Sequence, residues 1–130
     1  MIGLDTNIVV RYLTQDDPAQ ATAAVKMIDS LSAGAPGFLS LVVIAELVWV
    51  LESSYHFKKN EIVQVLENLL RSKELVVERA EIVSRALLAF SASRADFADC
   101  LIERCGHAAE CRYTATFDKH AAAAGMRLLG

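Results

Sequence analysis

The chain has 130 residues, 54% hydrophobic and 22% charged, with six glycines and two prolines, which excludes a disordered tail, a collagen-like repeat and a low-complexity linker. Thirteen basic residues against sixteen acidic ones give a formal charge of −3, which excludes a histone-like coat of positive charge. Three cysteines, an odd number, argue against a secreted disulfide framework, and the length is that of one domain, residues 1–130.

The start, Met1-Ile2-Gly3-Leu4-Asp5, has no basic n-region. Ile2 to Leu4 reads as a short buried strand ending at Asp5, and Thr6 and Asn7 offer N-cap chemistry for a helix through Tyr12 and Leu13. Asp17 and Pro18 suit the N-cap and first turn of the next helix, which runs on through Val25, Ile28 and Leu31. Phe38 and Leu39 predict a second strand, followed by a helix from Ser40 or Leu41 to about Ser53. The apolar stretch Leu41 to Leu51 is eleven residues long and holds Glu46, short of the roughly 20 residues a membrane span needs. A soluble, cytoplasmic protein without membrane contact is therefore expected.

Lys59 to Leu70 predicts an amphipathic helix, Leu75 to Val77 a strand, Ile82 to Phe90 a helix and Phe97 to about Cys111 another. Tyr113 to Thr116 and Met126 to Leu129 look like the last strands, flanking a helix over Lys119 to Ala124 that Gly125 terminates. Strands separated by connections this long cannot pair as hairpins. They imply an α/β fold, a parallel sheet of about five short strands between helices, with the binding crevice beyond the strands' carboxyl ends.

Four acids fall where such a crevice would be. Asp5 follows the first strand and could equally be a helix cap. Glu46 has apolar neighbours one turn away on both sides, Val42, Val43, Trp49 and Val50, which argues against a polar surface stripe shared with Ser53 and for a carboxylate pointing at something charged; if buried it needs a cation, a proton or an opening to water. Asp96 and Asp99 share a helical face near an N-terminus, where the dipole also favours acids. Asp118 follows the strand ending at Thr116.

The strings I-G-L-D-T-N at Ile2 to Asn7, I-A-E-L at Ile44 to Leu47, D-F-A-D-C-L-I at Asp96 to Ile102 and T-F-D at Thr116 to Asp118 occur in this order along the chain. In order and spacing the whole chain resembles a PIN-domain ribonuclease of the VapC toxin type. The resemblance implies a three-layer α/β/α fold and an acidic metal-binding, catalytic quartet at Asp5, Glu46, Asp99 and Asp118. It adds Asp96 as an extra acid, Thr116 as a hydroxyl residue before the last acid and Asn7 as a polar residue ordering the first loop. It also implies hydrolysis of RNA phosphodiesters to a 5′-phosphate and a 3′-hydroxyl, a VapB-type antitoxin partner and a homodimer. The segment Cys100 to Cys105 departs from the small apolar residues more usual there.

The chemistry of the four acids agrees with that family. Converging carboxylates repel one another, a divalent cation resolves the conflict, and oxygen-only donors select Mg²⁺, with Mn²⁺ as a substitute, over zinc. Without these four acids the chain carries twelve acidic residues against thirteen basic ones, so RNA binding is compatible with its charge. Arg11, Lys58, Lys59, Arg94, Arg112 and Lys119 are candidates for phosphate contacts. Cys100, Cys105 and Cys111 lack the close spacing of structural zinc and read as buried or half-buried thiols on one helix. Trp49, Tyr55, Phe57 and Phe90 read as core or subunit interface, and an apolar surface is expected around Leu47 to Tyr55 and Ile62 to Leu70.

Two other functions were weighed. A haloacid-dehalogenase-type phosphatase needs a second Asp two residues after the first, and position 7 is Asn. A non-catalytic PIN-fold scaffold for protein binding would have less need of all four acids.

Overall fold

Short apolar runs alternating with helical patterns are realised as five strands and seven helices over residues 1–130 of a computed structural model. The chain divides into two compact units, Met1–Glu78 and Arg79–Gly130. Both contain only parallel strand pairs, as the long connections require.

The first unit runs β1 (Ile2–Gly3), α1 (Thr6–Thr14), α2 (Pro18–Asp29), β2 (Gly37–Leu39), α3 (Leu41–Tyr55), α4 (Lys59–Arg71) and β3 (Leu75–Val77). Its sheet has the order β1-β2-β3, with Ile2 opposite Gly37 and Phe38 opposite Val76. Gly37 is needed at this point: a Cβ there would come within 2.8 Å of Leu4 Cδ1 and 2.9 Å of Leu31 Cδ1. Helix α1 packs on α2 and α3, and α4 on β3. Leu39, Ile44, Leu47, Leu51, Ile62 and Leu66 are buried, each worth about 1.5–3 kcal/mol on removal from water.

Helix starts follow the capping chemistry of the sequence with two additions. Asp17 Oδ1 accepts from Gln20 N–H at 3.0 Å, with Pro18 opening α2. The N-cap of α1 is Asp5 rather than Thr6 or Asn7, because those two already have helical places in the first turn. Ser40 Oγ accepts from Val43 N–H at 3.2 Å, and Glu78 Oε1, just past β3, accepts from Leu41 N–H at 2.8 Å. Two side chains thus satisfy donors at the start of α3.

The apolar surface expected on α3 and α4 is mostly interior. Leu47, Leu51, Ile62, Leu66 and Leu69 are buried, while Val42 (74%) and Trp49 (67%) face outward. Trp49 is therefore not core, whereas Phe90 is; Tyr55 and Phe57 are half-buried. Between α1, α2, α4 and β3 lies a groove of about 880 Å³ with Val9, Leu13, Phe57 and Leu69 among its walls.

The second unit runs α5 (Ala80–Ala92), α6 (Phe97–Ala108), β4 (Ala115–Thr116), α7 (Lys119–Ala122) and β5 (Arg127–Leu128). Helix α5 packs on α6, with the rings of Phe90 and Phe97 meeting edge to face at 5.9 Å. Strands β4 and β5 pair through Ala115 with Arg127 and Thr116 with Leu128. Gly125, at φ 102°, supplies the left-handed residue that ends the α7 turn. The α6 helix stops at Ala108, so Cys100 (buried) and Cys105 (half-buried) share it but Cys111 lies beyond it and is exposed. Glu110 takes the left-handed conformation there (φ 64°), and Cys111 N–H closes the helix end onto Gly106 O at 3.0 Å. No helix of the chain is long and apolar enough to cross a membrane.

Candidate active site

Asp5 and Asp118 follow strands β1 and β4, whereas Glu46 and Asp99 stand within helices α3 and α6. In the first unit Asp5 leaves β1 with extended backbone, and its Oδ1 accepts from Thr6 N–H at 2.8 Å. The Thr6 side chain is 4% exposed, and its hydroxyl donates a short hydrogen bond to Glu46 Oε1 on α3. Thr6 thus links the two carboxylates, one through its backbone and one through its hydroxyl. These bonds engage Asp5 Oδ1 and Glu46 Oε1. Asn7 is exposed in the first turn of α1.

Glu46 is exposed rather than buried, on an outward stripe with Val42, Trp49 and Ser53. Of the three remedies for a carboxylate in so apolar a window, the fold uses an opening to water. The sequence reading missed Thr6 as the group that positions Glu46. Its signal was the buried polar residue inside D-T-N, read there only as a cap.

In the second unit Asp96 occupies the N-cap position of α6, yet its carboxylate makes no capping bond. Asp99 stands one turn later and is half-buried. Burial raises the Asp99 pKa above the ordinary value near 3.8, the charges of Asp96 and Asp118 raise it further, and His120 opposes the shift. Asp96, Asp99 and Asp118 therefore feel one another. Asp118 Oδ1 accepts from His120 N–H at 2.8 Å, and Asp118 N–H donates to Thr116 Oγ1 at 3.0 Å. Thr116 thereby shapes the turn that carries Asp118.

Every candidate ligand is a carboxylate oxygen, the donor set of a hard divalent cation. A cation beside Asp99 would offset both the burial and the neighbouring negative charges that raise its pKa. As the side chains stand, no group of three or more His, Cys, Asp or Glu forms a closed metal cage. The fit is one of donor chemistry, in keeping with Mg²⁺, which retains waters and takes only one or two carboxylates directly.

Of the basic candidates, Lys58, Lys59, Arg94, Arg112 and Lys119 are exposed. Arg11 is engaged elsewhere: its Nη1 donates to Asp16 Oδ1 at 3.3 Å and to the Tyr55 hydroxyl at 3.0 Å, and its Nε donates to Gln20 Oε1 at 2.7 Å. A guanidinium tying α1 to α2 and α3 in this way is not free for a phosphate. Tyr55 OH and Thr14 Oγ1 also donate to Asp16, at 2.7 and 2.9 Å. These bonds, Tyr55 first, hold the Asp16 carboxyl below its ordinary value near 3.8. Between the folded and the ordinary pKa the unfolded chain binds more protons, so Asp16 stabilises the protein above pH 3.8 and ceases to do so as pH falls through its folded value. Asp16→Asn is expected to lower the Tm at pH 7, with a deficit that shrinks as pH falls below 3.8. Thermal melts across that range check this, and an undiminished deficit at the acid end would contradict it.

Residues 2–125 match the sequence profile of the PIN domain. A VapC ribonuclease of Aquifex aeolicus (strain VF5) is 28% identical over 98 residues, which cover 75% of this chain and 73% of that protein. The α/β/α class expected from the residues agrees with that match, and the stretch matched runs through both units.

Proposed function

This chain belongs to the PIN-domain family, and from that premise we propose that residues 1–130 act as one domain, a Mg²⁺-dependent endoribonuclease serving as the toxin of a toxin–antitoxin module. The observation that carries this reading is the match of residues 2–125 to the PIN-domain profile, with Asp99 standing beside Asp96 and Asp118. Asp99 stands in the first turn of α6, half-buried beside Asp96 and Asp118. The similarity to a VapC ribonuclease supports RNA as the substrate.

In this reading Asp5, Glu46, Asp99 and Asp118 hold the cation, some of them through water. When bound, Mg²⁺ supplies a water of lowered pKa and neutralises charge on the scissile phosphate. Thr6 keeps Glu46 oriented through its hydroxyl, and Thr116 presents Asp118. Asp96 adds negative charge beside Asp99, and Asn7 sits two residues after Asp5 in the first turn of α1. Lys58, Lys59, Arg94, Arg112 and Lys119 contact backbone phosphates. A cytoplasmic VapB-type antitoxin and a second copy of the chain are its protein partners.

Cleavage of RNA in Mg²⁺ that ceases in excess chelator and returns with Mn²⁺ is the expected result; cleavage surviving in chelator rejects it. Mn²⁺ at about 100 times its Kd is expected to stabilise the apo protein by about 2.7 kcal/mol, several degrees in Tm. A scaffold that binds RNA or protein without cleaving would show no product ends at any metal concentration.

A further inference from the structure

Phe117 is the most exposed large apolar side chain of the chain, at 83%. Exposing a phenyl ring is unfavourable, and here the backbone enforces it. The preceding residue is locked into β4, where Leu129 N–H donates to Thr116 O at 2.8 Å. The following residue is fixed twice, by its own N–H to Thr116 Oγ1 at 3.0 Å and by its carboxylate on His120 N–H at 2.8 Å. Phe117 is therefore presented on a rigid turn, at one fixed step from the Asp118 carboxylate.

Its surroundings within the unit include Leu128 and Leu129, each 40% exposed, but it is the exposed cations around the ring that decide for a nucleic acid. Lys119 and His120 follow it and are exposed. The neighbouring strand carries Arg127, whose guanidinium lies 3.7 Å from the centre of the Tyr113 ring, itself 43% exposed. An aromatic face among cationic groups is how proteins hold unpaired nucleotides: bases stack on the ring while cations track the backbone.

Resting on the ribonuclease reading above, we propose that Phe117 is a base-stacking subsite that holds one unpaired nucleobase of the RNA next to Asp118. A base inside a duplex offers no free face to the ring, so the subsite takes an unpaired nucleotide. Phe117 acts on binding and register, not on the reacting atoms.

The test uses the full chain with a fluorescein-labelled single-stranded RNA of randomised sequence and a perfect duplex of the same length. Phe117→Ala and Phe117→Leu are expected to raise KM for the single strand about ten-fold or more with a smaller change in kcat, while Phe117→Trp retains wild-type KM. Leu is the decisive variant, since it keeps apolar bulk and loses the aromatic face. In a Trp49→Phe background, the fluorescence of Trp at position 117 should be quenched as the single strand binds. Equal KM for wild type and Phe117→Leu, or an unquenched Trp, overturns the subsite. Loss of dimer mass in Phe117→Ala with RNA affinity intact also overturns it, assigning the ring to a protein interface. Wild-type protein that neither binds nor cleaves either RNA overturns the ribonuclease reading itself, a different outcome from intact cleavage by Phe117→Leu.

Discussion

Asp99→Asn is expected to lower Mg²⁺-dependent RNA cleavage by about 10³-fold while raising the Tm of the metal-free protein. Both effects follow from one carboxylate. Its charge is disfavoured in the apo fold by burial, by Asp96 and by Asp118. From pH 3.8 up to the raised folded value the native state binds the extra proton, so the acid's contribution to stability falls as pH rises through that window. An isosteric amide removes the repulsion, and with it the charge that a cation needs. A lost cation costs several kcal/mol of transition-state stabilisation, hence the size of the rate effect. Mn²⁺ should raise the Tm of wild type but far less that of Asp99→Asn. A variant with unchanged melting and near-normal cleavage would remove Asp99 from the site.

Phe97→Ala is expected to cost about 3–5 kcal/mol in urea unfolding, a large share of the roughly 5–15 kcal/mol available to a domain. Phe97 is fully buried, meets Phe90 edge to face and begins α6 directly after Asp96. Removing the ring leaves a cavity at the point where α6 is anchored on α5, so the placement of Asp96 and Asp99 depends on it. Phe97→Leu should recover much of the loss. A double-mutant cycle with Phe90→Leu should show coupling of about 0.5–1.5 kcal/mol beyond the separate costs. Additive effects would mean that the two rings pack independently.

Much of this was legible from residues because local chemistry and tertiary position agree. Asp17-Pro18 starts α2, Ser40 starts α3, Leu75 to Val77 is a strand, and each acid of the quartet stands at a strand end or in the first or second turn of a helix. The helix ends were less legible. Gln15 and His56 close α1 and α3 in the left-handed conformation, where glycine is the usual signal. The last strands are shorter than Tyr113 to Thr116 and Met126 to Leu129 because the ladder involves only Ala115–Thr116 and Arg127–Leu128. Surface and core on α3 were poorly legible: in a helix this apolar, Trp49 and Leu47 both read as apolar, and packing distinguishes them. Arg11 could not be separated from the other cations, since the hydrogen bond to Tyr55 joins residues 44 apart. Phe117 lies between Thr116 and Asp118 in T-F-D with nothing in the string to mark it, and its exposure follows from the turn alone.

Crystals soaked in Mn²⁺ provide the most direct measurement. Carboxylates that share a divalent cation place an anomalous difference peak within bonding distance of Asp99 and at least one other of Asp5, Glu46 and Asp118. Saturating Mn²⁺ with no peak at any of these side chains contradicts a cation-dependent nuclease centre.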